Sequence, residues 1–169
     1  MRFSNTRAFA AIALAALAMT ACAPKTVKKG PTPYDKTVVA DCYTVELFTV
    51  AKIEKPDESV PPEWAAYSGK WGKAAWEGKW CHDLHVTKVN ADGTVEVMSL
   101  HAPYEPWGKP ATAFRRQARI TEEGRLRVVF SGVAVEYWIE DGRLYGLRSE
   151  GGGQMRIKLQ PGTNSGLGA

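Results

Sequence analysis

Short alternating segments separated by glycine-containing turns constrain the fold of this chain more than any other feature. Apolar and polar residues alternate within each segment, and glycine supplies the positive φ angles that tight hairpins need. The segments cover residues 83–90, 94–101, 114–121, 125–132, 134–140, 143–150 and 154–160. The pattern predicts an all-β domain, a small antiparallel up-and-down barrel of about 7–8 strands, the eighth being residues 42–54. The alternative is a β-sandwich.

The flanking stretches differ in composition from this domain. Residues 22–36 are rich in Pro, Lys and Gly and predict a flexible tether, whereas residues 161–169 predict a disordered tail. One β domain over residues 37–160 lies between them. Residues 61–69, "PPEWAAYSG", predict one helical turn, because proline begins it and glycine ends it.

The N-terminal stretch "MRFSNTRAFAAIALAALAMTAC" has the order of a bacterial export signal. Arg2 and Arg7 precede an uncharged apolar run over residues 8–19, which is too short to span a bilayer as a helix. The run ends in small residues and a cysteine. It resembles the lipobox of bacterial lipoproteins. That resemblance implies a signal peptide over residues 1–21 and lipidation (palmitate) of Cys22. An ordinary secretory signal is the alternative.

The same resemblance implies a location. Ala23 follows the cysteine where aspartate would favour retention in the inner membrane, so we expect an outer-membrane lipid anchor with the domain facing the periplasm. Removing the two arginines of the signal takes the formal charge from +4 to +2. A chain this near balance does not favour a nucleic-acid partner. We expect a monomer whose membrane contact is its anchor.

Two further cysteines, Cys42 and Cys81, remain once Cys22 is set aside. An even number of cysteines in an oxidising compartment predicts a disulfide between them. Two buried free thiols are the alternative, because cysteine is a frequent core residue.

The stretch "WEGKW" followed by strands resembles the Gly-x-Trp opening of lipocalin-like (calycin) proteins. In that resemblance Gly78 lets the chain bend into the first barrel strand and Trp80 plugs one end of the barrel. It extends loosely over residues 72–160 and implies a barrel that holds a small ligand. A barrel of this size can instead be filled by its own side chains.

The first hairpin can be assigned a register, because a turn over residues 90–93 places opposite residues in matched pairs. The expected pairs are Lys88–Glu96, Val86–Met98, Leu84–Leu100 and Asp83–His101. His85 would then lie diagonal to His101. Two imidazoles and a carboxylate can bind zinc, but the spacing of the histidines matches no zinc motif. We predict an ordinary cross-strand pair and no metal site.

A proline-rich loop over residues 101–111 offers the best ligand contacts. Tyr104, Trp107 and Lys109 lie in it, where they would rim the mouth of a barrel or fold back as a lid on the core. Arg115, with Arg119 on the same strand face, is a candidate contact for a carboxylate or phosphate. The alternative for the arginines is a solvated strand face.

The chain shows no sequence pattern typical of catalysis. It has no Gly-x-Ser-x-Gly or Ser-x-x-Lys motif, and its glycine run at residues 151–153 lies between strands, not before a helix. We therefore expect no enzyme and no cofactor. The first hypothesis is a non-catalytic binding module for a small apolar or glycan ligand. The alternative is an envelope protein-interaction or inhibitor lipoprotein with a filled barrel. The interior volume distinguishes the two.

Overall fold

The computed structural model describes residues 32–39, 42 and 51–162, and it shows eight antiparallel strands closed into one barrel. Each strand pairs with the next along the chain, and the last strand pairs with the first. The strands are β1 (Gly69–Trp76), β2 (Trp80–Val89), β3 (Thr94–His101), β4 (Thr112–Ile120), β5 (Leu126–Phe130), β6 (Val133–Glu140), β7 (Arg143–Glu150) and β8 (Gly153–Pro161). The predicted up-and-down barrel is confirmed, and the sandwich alternative is wrong.

The eighth strand is not the one that the sequence favoured. It is β1, whose residues include two tryptophans and four small residues and lack the β-branched side chains that usually indicate a strand. Of residues 42–54, only 42 and 51–54 are described, and they form no strand; residues 43–50 lie outside the described part of the chain. β1 is a strand because it pairs with both β2 and β8.

One end of the barrel is closed, and we call it the closed end. The turns after β2, β4 and β6 lie there, beneath a short helix, α1 (Pro62–Ala65). The Tyr67 hydroxyl donates a hydrogen bond to the Gly124 carbonyl at 2.7 Å, and the Trp71 indole donates one to the Tyr67 carbonyl at 2.8 Å. The predicted helical turn is confirmed, and its function in the fold is to cap this end.

The interior next to the closed end is packed with apolar side chains. Inward positions alternate with outward ones along each strand, and the inward set includes fully buried Leu84, Val86, Leu126, Val128, Val135, Tyr137, Leu144, Ile157 and Leu159. Gly146 has no room for a side chain, because an added Cβ would lie 2.8 Å from both Tyr137 and Ile157. The tyrosine ring therefore fills the space that a larger residue on β7 would take.

The predicted register of the first hairpin is correct only near its turn. Asn90 N donates to the Thr94 carbonyl at 2.9 Å, and Lys88 lies opposite Glu96 as expected. A β-bulge between Val86 and Lys88 then shifts the pairing by one residue. The observed pairs are Val86–Val97, Leu84–Ser99, Asp83–Leu100 and His82–His101. The predicted pairs Val86–Met98, Leu84–Leu100 and Asp83–His101 are therefore wrong.

The segment before the barrel packs on the outside of the strands. Tyr34 contacts Trp138 and Tyr145, and a 3₁₀ helix, Asp35–Thr37, follows it. Cys42 is bonded to Cys81 on β2, so the predicted disulfide is confirmed. Residues 32–36, assigned above to the tether, thus contact the barrel. Residues 1–31 and 163–169, which hold the predicted signal, most of the tether and most of the tail, lie outside the described residues.

Within the described ranges, the structure contains no helix with the length and apolar character needed to cross a membrane.

Candidate functional site

A cavity of about 420 Å³ lies at the end of the barrel opposite α1, which we call the open end. Trp80, Phe130 and Val133 line it from the strands, and Trp107 and Pro110 line it from the β3–β4 loop. Its remaining lining residues are His101, Lys109, Thr112, Phe114, Arg116, Ser131, Arg148 and Glu150. We call this space the mouth cavity. Its volume is within the range of small-molecule pockets.

The wall of the mouth cavity is mainly apolar and aromatic. Trp107 is 51% exposed and Phe114 is 42% exposed, so they present unusually large apolar surfaces for a protein in water. Both are at the rim, where a ligand in the cavity would cover them. The apolar lining is therefore matched to a ligand that has an apolar part.

Two arginines supply most of the charge inside the mouth cavity. The Arg148 guanidinium is paired with the Glu150 carboxylate at 2.6 Å; the arginine side chain is 16% exposed and the glutamate 56%. The Arg116 guanidinium donates to the Arg115 carbonyl at 2.9 Å and lies 4.9 Å from the centre of the Phe114 ring. Among the described residues, no carboxylate forms an ion pair with Arg116.

A stack of four rings begins beside the mouth cavity and runs into the barrel. The ring centroids of Trp80 and His101 are 4.4 Å apart, those of His101 and His82 are 4.4 Å apart, and those of His82 and Trp76 are 5.5 Å apart. His82, Trp76 and His101 are buried. The bulge in β2 creates this stack, because it puts His82 directly opposite His101 inside the barrel.

Both stacked imidazoles are neutral. Burial lowers the pKa of His82 from 6.5 to about 3. Burial, with the nearby His82 and Arg148, holds the pKa of His101 well below its usual range. The His82 Nδ1 lies 2.9 Å from the Leu100 carbonyl and must donate to it, so Nε2 accepts from the Tyr137 hydroxyl at 3.2 Å. The charge inside the mouth cavity therefore comes from arginine and not from histidine.

The proline-rich loop is at the rim, as expected. Trp107 and Lys109 line the mouth cavity directly. Tyr104 lies behind them, with its ring centroid 6.1 Å from that of Trp80 and 5.1 Å from that of Trp107. Two backbone hydrogen bonds between Tyr104 and Lys109, at 2.8 and 3.1 Å, close the loop. Tyr104 thus supports Trp107 without lining the space.

Arg115 is outside the barrel, apart from this cavity. It lines a shallow groove with Thr87 and Glu96, while its neighbour Arg116 points inward. The sequence separates the two faces of β4 correctly. The inward face also holds Phe114, Ala118 and Ile120, so it is more apolar than the outward face. This difference in the sequence would have identified Arg116 as the arginine that faces the interior.

Phe130, Val133, Arg148, Glu150 and His101 also line the cavity and were not predicted as ligand contacts. Four of them belong to β5, β6 and β7, far along the chain from the proline-rich loop. Only closure of the barrel brings these strands to the same opening, so no local pattern identifies them.

The Gly-x-Trp at Gly78 and Trp80 has a different position from the one that the resemblance implies. Gly78, with φ of 73°, is in the turn between β1 and β2, and a Cβ added there would lie 2.5 Å from the Lys36 carbonyl oxygen. Trp80 lines the open end and donates to the Ala102 carbonyl at 2.9 Å. The first strand begins instead at Gly69, with φ of 133°, and Trp71 plugs the closed end.

The three groups considered for zinc are on different sides of the barrel wall. Asp83 and His85 face outward from β2, whereas His101 faces inward. In the part of the chain that the structure describes, no group of three His, Cys, Asp or Glu residues is arranged to hold a metal ion.

No protein-family model, curated protein or solved structure matches this chain.

Proposed function

We propose that this protein is a non-catalytic binding module of the bacterial cell envelope, anchored by lipid at Cys22, that takes a small apolar or glycan ligand into the mouth cavity. The observation that carries the proposal is the cavity of about 420 Å³ at the open end of a barrel whose other end is capped. Exposed Trp107 and Phe114 at its rim support this proposal, because a bound ligand would remove their apolar surface from water.

A protein-interaction or inhibitor lipoprotein is the second candidate. The filled interior next to the closed end favours this second candidate, because only the part of the barrel next to the open end has space for a ligand. In this case the exposed rim would contact another envelope protein, and the cavity would have no small ligand.

Binding of the neutral fluorescent probe N-phenyl-1-naphthylamine tests the first candidate. The chain from residue 22 with Cys22→Ser keeps every strand and the disulfide and needs no detergent. We expect the probe to bind, and we expect Val133→Trp, which fills the cavity from β6, to weaken binding at least about tenfold.

Val129→Trp is the matched control, because Val129 is 42% exposed and does not line the cavity. It should bind the probe as the unsubstituted chain does. No binding by the unsubstituted chain, or equal binding by Val133→Trp, would contradict the proposed function and favour the second candidate.

A further inference from the structure

The mouth cavity carries more positive than negative charge. Its lining has three cationic side chains, Lys109, Arg116 and Arg148, and one carboxylate, Glu150. Guanidinium groups bind carboxylates and phosphates through charge-assisted and often bidentate hydrogen bonds. A neutral ligand would leave this excess charge unused inside a partly enclosed space.

The arginines lie deeper in the barrel than the exposed apolar rim. On β4, Arg116 is one inward position nearer the closed end than Phe114, and on β7 Arg148 is one inward position deeper than Glu150. The cavity is therefore cationic in its depth, and its rim carries the exposed rings of Phe114 and Trp107 beside Lys109 and Glu150. A ligand that fits this order has its charged group inside and its apolar part toward the rim.

The Glu150 carboxylate is paired with the Arg148 guanidinium, and an external anion could displace it. Two guanidinium nitrogens of Arg148, Nε and an Nη, donate to the same Glu150 oxygen at 3.1 and 2.6 Å. The glutamate is on the rim and is 56% exposed, so release of its side chain to water costs little. Glu150 thus shows where an external carboxylate or phosphate would bind.

We infer that the mouth cavity binds a single-chain amphiphile with an anionic head, which replaces Glu150 at Arg148 and also contacts Arg116, while its apolar chain lies against Phe114, Phe130 and Trp107. The inference rests on the proposed function and specifies its ligand class. The head is a carboxylate or a phosphate, and both fit the same guanidinium groups.

Displacement of the bound naphthylamine probe by three ligands of equal chain length tests this inference. Decanoate and decyl phosphate carry anionic heads, and 1-decanol is neutral. We expect both anions to bind at least about tenfold more tightly than decanol at pH 7. The stronger of the two anions identifies the preferred head.

Two substitutions should change the affinity for the anions in opposite directions and change the affinity for decanol much less. Arg148→Gln should weaken decanoate binding at least about tenfold, because it removes the positive charge and one of the two guanidinium donors. Glu150→Gln should tighten decanoate binding severalfold, because the competing carboxylate is gone. Arg127→Gln is the matched control, since Arg127 is an exposed arginine on the outer face of β5.

The decanol measurement separates failure of the inference from failure of the proposed function. Equal affinities for decanol and decanoate, with no effect of Arg148→Gln or Glu150→Gln, would overturn the anionic ligand class and leave the binding module in place. If none of the three ligands displaced the bound probe, the inference would be overturned, while probe binding itself would still support the binding module. Should Arg148→Gln lose the circular dichroism spectrum of the unsubstituted chain, it is misfolded, and Glu150→Gln then decides.

Discussion

His82 is a titratable residue in a position where its charged form is costly. It is fully buried between the rings of Trp76 and His101, and both of its nitrogens have neutral partners, the Leu100 carbonyl and the Tyr137 hydroxyl. The two ionisable side chains that act on it, His85 and Arg148, both lower its pKa. A protonated His82 therefore has no compensating anion among the residues that the structure describes, and the fold requires the neutral ring.

This neutral ring makes the stability of the barrel depend on pH. The pKa of His82 is about 3 in the folded chain against 6.5 in an unfolded one, so the unfolded chain binds more protons between these pH values. Stability from the neutral ring is complete above pH 6.5 and is lost as pH falls toward 3. We expect the unsubstituted chain to lose up to about 2 kcal/mol more than His82→Gln between pH 7 and pH 5.

Urea unfolding followed by circular dichroism at pH 7, 6 and 5 measures this difference. Glutamine can still donate to the Leu100 carbonyl and accept from Tyr137, so the variant keeps the hydrogen bonds and loses only the titration. His101 is present in both chains, and loss of the His82 effect on its pKa in the variant acts in the same direction, adding to the difference. Parallel stability curves for the two chains would show that His82 is not the source of the pH dependence.

At the scale of single elements, β2 shows what the sequence could and could not predict. Alternation and the Asn90–Gly93 turn predicted the hairpin, and the pairing of Lys88 with Glu96 is correct. The bulge near Thr87 was not predictable, because its Oγ1 donates at 3.0 Å to the Glu96 carbonyl on the paired strand. That one extra residue put His101 on the same face as His82, inside the barrel, and separated His101 from Asp83.

The site was harder to predict than the fold for a related reason. Alternation distinguishes the two faces of a strand, but closure of the sheet decides which face is inside. Arg115 and Arg116 show the difference, because both are arginines and only the second lines the mouth cavity. The rim residues Trp107 and Lys109 were predictable, since a loop with three prolines near two strand ends must lie at one end of the sheet.

The segment before the barrel is held to β2 by the disulfide between Cys42 and Cys81. The bond closes a loop with a sequence separation of 39 residues. In the chain-entropy model such a loop contributes about 4 kcal/mol of stability. We expect the double variant Cys42→Ser/Cys81→Ser to be less stable by about 2–4 kcal/mol, with the barrel itself retained.

Guanidinium unfolding of the oxidised chain, the reduced chain and the double variant measures this contribution. The reduced chain should unfold close to the double variant, because both lack the cross-link. Equal midpoints for the oxidised and reduced chains would show that the disulfide does not stabilise the fold.

At the scale of the whole molecule, the two ends of the barrel have different structures. One end is capped by α1, Tyr67 and Trp71, and the other opens into the mouth cavity. Tyr34 contacts Trp138 and Tyr145 on the barrel wall and lies twelve positions after Cys22. The proposed anchor would therefore be joined by a short stretch to a segment that packs on the outer face of the barrel.

The anchor itself leads to the last prediction. We expect cells fed alkyne-labelled palmitate to label the unsubstituted chain and to place it in the membrane fraction. Cys22→Ser should lose the label, because the thiol is the acyl acceptor and acyl chains provide the membrane affinity, about 0.8 kcal/mol for each buried CH₂. The double variant Cys42→Ser/Cys81→Ser is the control and should keep the label. Ala23→Asp should keep the label and move the chain from the outer to the inner membrane. An unlabelled chain that is released into the periplasm after cleavage near Ala21 would instead indicate an ordinary secretory signal, and the binding module would then act as a soluble carrier.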